Sequence, residues 1–67
     1  MGFRDYEITD EAVRKARLIG IGGDVRKRLA RMAKRAAPYT SEFGNKRFEN
    51  FVLRIVDGRL VDVTRLD

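Results

Sequence analysis

The segment DVRKRLARMAKRAA, residues 24–37, decides how the rest of the chain is arranged. At 100° per residue, Val25, Leu29, Met32 and Ala36 fall within about 60° of one another, with Ala33 at the margin, so the segment reads as an amphipathic helix with one apolar seam. On the same wheel Lys34, Lys27, Arg31, Arg35 and Arg28 fill a continuous arc of roughly 120° on the opposite side, with Arg26 at the other flank. The seam calls for a core, and the arc calls for water or an anionic partner. Asp24 is placed to cap the N-terminus, and Pro38 ends the helix because the residue before a proline is pushed out of the helical region.

Upstream, Gly20-Ile21-Gly22-Gly23 departs from the G-x-G-x-x-G spacing of a nucleotide-binding turn, no strand comes just before it, and Asp24 sets a carboxylate where a phosphate would sit. The glycines fit a tight helix–helix connection with Ile21 tucked inward. A first helix is expected over residues 10–19. Thr9 would be its N-cap, Asp10 and Glu11 would sit in the first turn where the helix dipole favours carboxylates, and Gly20 would be its left-handed stop. Ala12, Val13, Ala16 and Ile19 make a thin buried stripe, and Ile8 can staple onto Val13. Residues 3–8 (FRDYEI) read as a short strand with Tyr6 and Ile8 on one face.

Downstream, residues 38–47 (PYTSEFGNKR) read as a loop, in which Tyr39 or Phe43 either plugs the edge of the core or is exposed to stack a base beside Lys46 and Arg47. Residues 48–56 and 59–66 form two strands around Asp57-Gly58, the strongest hairpin signal in the chain. A two-residue loop in unbroken register pairs Leu53 with Asp62 and scatters the apolar residues. A bulge at Gly58 instead pairs Leu53 with Val61, Phe51 with Val63 and Glu49 with Arg65, and gathers Phe51, Leu53, Ile55, Val61 and Val63 toward the helices. The opposite face then shows Asn50, Val52, Arg54, Leu60, Asp62 and Thr64. The expected fold is one α+β domain, residues 1–67, of two layers in the order β-α-α-β-β, with a helical hairpin on a small antiparallel sheet.

The charge distribution is uneven. Residues 1–13 hold one Arg against four carboxylates, a net of −3, while residues 14–35 hold nine Lys/Arg against Asp24 alone, a net of +8; the remainder balances to give +5 overall. With Cys 0 and His 0, thiolate chemistry, the commonest zinc ligands and the usual general base near neutral pH are absent, so no cofactor and no metal are expected and catalysis is disfavoured. No apolar run is long enough for a signal-peptide core or a membrane span, which points to the cytoplasm and to no membrane partner.

Like charges stacked at i,i+4 in the helix, Lys27 with Arg31 and Arg31 with Arg35, repel by a few tenths of a kcal/mol each, and no interspersed Glu offsets them. A polyanion would. The expected partner is nucleic acid, DNA or RNA, held by Lys27, Arg28, Arg31, Lys34 and Arg35 and extended by Lys46 and Arg47. The alternatives are a merely solvated face, or an acidic protein surface met by a small inhibitor or adaptor of the kind mobile elements encode. A homodimer is a further expectation, since a core this small gains from association and the outer sheet face would show Val52 and Leu60.

The order of a short strand, a helical hairpin rich in Lys/Arg, then FVLRIVDGRLVDVTRL resembles the core of the RelE/ParE-like toxin superfamily over roughly residues 6–66. That resemblance implies helices covering an antiparallel sheet and, in ribosome-dependent members, Lys, Arg and Tyr side chains that polarise an RNA backbone. By position Arg54, Arg65 and Tyr39 would take that role here. The chain is short for the family and lacks its additional strand and C-terminal polar residue.

Overall fold

The computed structural model describes residues 6–39 and 44–67. The elements are β1 (Glu7–Ile8), α1 (Asp10–Leu18), α2 (Val25–Arg35), β2 (Ala37–Pro38), β3 (Asn45–Phe48), β4 (Phe51–Val56) and β5 (Arg59–Arg65). The class is α+β, and the strands form one mixed sheet in the order β1-β5-β4-β3-β2. The strand expected at residues 3–8 is described only from Tyr6 onward.

Both helices begin and end where their caps dictate. The Thr9 hydroxyl accepts from the Ala12 amide at 3.2 Å, and the Asp24 carboxylate accepts from the Lys27 amide at 3.2 Å. Gly20 (φ +99°) stops α1 one residue before the expected end, and the Ile21 amide donates back to the Ala16 carbonyl at 2.9 Å, a closure that folds Ile21 into the interior. Ala36 leaves the helical region ahead of the proline, with φ −70° and ψ 146°.

The sheet corrects three expectations. First, residues 38–47 are not simply a loop. Ala37 and Pro38 pair with Arg47 and Lys46 as an antiparallel edge strand, a position that tolerates proline because only one side of the strand needs its N–H groups. Phe43 lies outside the described residues. Second, residues 48–56 are not one strand. The chain reverses at Glu49-Asn50, with Glu49 at φ +55°, so that Phe48 pairs with Phe51. Third, the sheet is not wholly antiparallel, because β1 lies parallel to β5, with Glu7 beside Arg59 and Ile8 beside Leu60.

The hairpin register also differs. Asp57 (φ +52°) and Gly58 (φ +77°) form a two-residue turn with both residues left-handed, and Val56 pairs with Arg59. The bulge sits inside β5 instead of at the turn. Ile55 pairs with Leu60 but Arg54 pairs with Asp62, leaving Val61 without a partner; beyond it Leu53 meets Val63 and Phe51 meets Arg65. The extra residue turns Leu60 and Val63 to the same side. Leu60 is therefore fully buried and Val61 half-buried, the reverse of the sequence expectation, and the expected Glu49–Arg65 pair does not form. Leu60 is consequently unavailable to the dimer surface proposed for the outer face.

The core lies between the layers. Ala12, Ala16, Leu29, Leu53, Leu60 and Val63 are wholly buried there, joined by Ile8, Ile21, Val25, Met32, Ala33 and Ile55. Gly44 is required by close approach, because a Cβ at its φ of +92° would stand 2.4 Å from the Ile55 carbonyl oxygen.

This register makes a direct prediction. Leu60→Ala should destabilise the protein by about 2–5 kcal/mol in urea titration, whereas Val61→Ala should cost less than about 1.5 kcal/mol. The opposite ranking would restore the bulge at Gly58.

Candidate nucleic-acid interface

The cations of α2 belong to a helix fixed from both ends, so their direction is set by the buried seam beneath them. Val25, Leu29, Met32 and Ala33 are buried, and Lys27, Arg28, Arg31, Lys34 and Arg35 are all exposed on the far side. Arg28 donates to the Gly22 carbonyl at 2.9 Å and so lies back over the inter-helix turn. Among the described residues, no carboxylate pairs with Lys27, Arg28, Arg31 or Arg35. Elsewhere Lys15 pairs with Asp62 at 3.4 Å, Arg59 with Glu7 at 3.5 Å and Arg65 with Asp67 at 3.2 Å.

Arg26 shows what a structural cation looks like in this fold. Its guanidinium donates to the Ile8 carbonyl and forms an ion pair with Asp10 at 2.5 Å, bracing the start of α2 against β1 and α1. The sequence wheel placed Arg26 apart from the arc, and its partners agree with that separation.

Lys46 and Arg47 part company. Alternation along β3 puts Lys46 and Phe48 on the helix side and Arg47 on the other. Lys46 donates from Nζ to the Tyr6 hydroxyl at 2.9 Å, and Tyr6 shares a surface cleft of about 270 Å³ with Lys27, Ala30, Arg31 and Lys34. Lys46 therefore adjoins the helix arc. Arg47 instead stands 5.6 Å over the Tyr39 ring and donates to the Glu49 carbonyl at 2.7 Å.

The residues implied by the toxin resemblance divide as well. Tyr39 reaches Asn45 through its backbone amide, at 3.1 Å, and Asn45 pairs with Arg54, so Tyr39 and Arg54 lie in one cross-strand row on the sheet face away from the helices. Arg65 lies toward α1, donating to the Ile19 carbonyl at 2.9 Å. The helix cations and the Tyr39–Arg54 row thus occupy opposite sides of the molecule.

Comparison with known proteins returns no match. No family model fits this chain, and no curated protein or solved structure is significantly similar to it. Among the described residues, no helix is long and apolar enough to cross a membrane, and no group of acidic side chains is arranged to hold a metal ion.

Two features of the basic side escaped the sequence. Tyr6 enters it through Lys46, a contact across 40 positions that no local pattern encodes. Phe48 and Phe51 flank the α2 arginines in a cleft of about 190 Å³ with Arg28, Arg31, Arg35 and Glu49, an arrangement that depends on the unanticipated turn at Glu49-Asn50. A reading that had split residues 45–56 into two strands would have found it, because alternation then aligns Lys46 and Phe48.

The contrast between braced and unbraced cations is measurable. Arg26→Ala should lower stability by about 1–2 kcal/mol, through loss of charge-assisted hydrogen bonds. Arg31→Ala should leave it within about 0.5 kcal/mol, as expected for an exposed position with no carboxylate partner among the described residues. Thermal and urea denaturation of the two variants check both values.

Proposed function

We propose that this chain is a small non-enzymatic nucleic-acid-binding protein that acts through the outward face of α2. The observation that carries this reading is that Lys27, Arg28, Arg31 and Arg35 share one exposed flank, held by a buried seam, with no carboxylate partner among the described residues. Stacked like charges destabilise the helix slightly in isolation, and a phosphate backbone converts that cost into affinity by releasing its condensed counterions. Lys46, beside Tyr6, widens the same flank. Arg47 does not contribute from its place over Tyr39.

Engagement of five phosphates predicts a log–log salt slope of about −4.5 on duplex DNA, a loss of affinity on the order of 500-fold between 50 and 200 mM salt. Fluorescence anisotropy with generic duplex and single-stranded oligonucleotides checks it. Lys27→Ala combined with Arg31→Ala should reduce the slope by about 2. No binding at low salt, or a slope unmoved by the double substitution, removes the proposal. Capture of one nuclease-resistant protein would instead favour an adaptor that docks this face on an acidic surface.

A ribonuclease-toxin activity is the second reading, supported by the shared row of Tyr39, Asn45 and Arg54 on the open sheet face. Arg65, on the other side, would have no part in it. Growth arrest on expression that Arg54→Ala abolishes is its required outcome, and harmless overexpression rules it out.

A further inference from the structure

Where α2 passes over the β3–β4 turn, the basic face is not uniformly polar. Phe48 and Phe51 are directly paired across the two strands, both half-buried, and they line a cleft with the guanidinium-bearing Arg28, Arg31 and Arg35. The other two aromatic rings on the described surface are already taken by cations: Lys46 lies 5.2 Å from the Tyr6 centroid and Arg47 5.6 Å from that of Tyr39. Phe48 and Phe51 hold no such partner among the described residues. Both rings pack in part against the core, and the surface they leave exposed lines the cleft beside Met32 and the arginines.

We infer that this cleft receives an unpaired nucleobase, so that the preferred ligand of the α2 face is a single strand. The inference rests on the nucleic-acid reading above and adds to it a site for the base. Aromatic side chains bind bases of any sequence through their π faces, and adjacent arginines hold the flanking phosphates. The spacing suits that division of labour. Arg28, Arg31 and Arg35 follow one helix ridge at i, i+3 and i+7, tracking a backbone along the helix while the phenylalanine pair lies to one side. Glu49 also lines the cleft, its backbone in a left-handed turn and its carbonyl accepting from Arg47. Its carboxylate repels a phosphate from the aromatic side and can accept a hydrogen bond from a base N–H. A base within a duplex remains stacked on its neighbours and cannot enter, so duplex DNA would engage the arginines through charge alone.

The test compares the wild-type protein on three fluorescent probes at one salt concentration: a short oligothymidylate, an abasic strand of the same length, and a duplex. Oligothymidylate should bind about tenfold more tightly than the abasic strand, within the range that base–aromatic stacking supplies. Phe51→Leu, which keeps an apolar side chain but removes the ring, should abolish that preference while leaving duplex affinity within about twofold. Equal affinity for the thymidylate and abasic strands in the wild-type protein overturns the base site and leaves the α2 anion-binding reading standing. Failure of all three probes to bind defeats both. A Phe51→Leu variant that weakens duplex and single strand alike assigns the ring to folding and overturns the site.

Discussion

Both layers of this protein close on Leu60. Its side chain is wholly buried, and its carbonyl accepts from the Thr9 amide at 3.2 Å and from the Thr9 hydroxyl at 2.7 Å. The same hydroxyl oxygen accepts from the Ala12 amide. One threonine therefore caps α1, ends β1 and fastens both to β5. Through Ile8, whose carbonyl takes the Arg26 guanidinium, the joint extends to the start of α2. The direction in which α2 presents its cations follows from this chain of contacts.

Much of this was legible because it is local. Thr9, Asp24, Gly20 and Pro38 act on residues within a turn of themselves, and each ends or starts a helix within a residue of where its chemistry places it. The apolar seam of α2 is a helical periodicity, and Val25, Leu29 and Met32 are buried as the wheel requires; Ala36, assigned to the seam, is half-buried, and Ala33, assigned to its margin, is fully inside. The sheet was harder because its information is distant. Glu49-Asn50 carries no glycine, so nothing marked a reversal there. Ala37-Pro38 is too short to show alternation. The bulge at Val61 depends on which of Leu60 and Val61 packs better beneath the helices, a choice made by tertiary contact and not by the hairpin. The same ignorance of the sheet hid the partition of Lys46 from Arg47.

Some of the cations serve the fold. Lys15, Arg26, Arg59 and Arg65 are paired with carboxylates or backbone carbonyls and knit elements together. Among the described residues, Lys27, Arg28, Arg31 and Arg35 of α2 have no carboxylate partner, and they stand clear of the core. Exposed ion pairs contribute little stability individually, so pairing every cation was not needed for folding. The exposed cations of α2 nevertheless stand together on one side, which is the condition for an orientating field. The Tyr39–Arg54 row on the opposite sheet face is diluted by its neighbour Asp62.

The parallel seating of β1 on β5 bears on how the chain is made. β1 and α1 leave the ribosome early, yet the edge they need is formed by the last strand of the sheet. Until that strand emerges, the carbonyl awaited by Thr9 does not exist, and the apolar stripes of both helices have nothing to cover. The three-stranded meander of β3, β4 and β5 can assemble from near neighbours, whereas docking of β1 must wait until β5 has been made. Emergence of β5 is thus the event that locks the two layers together.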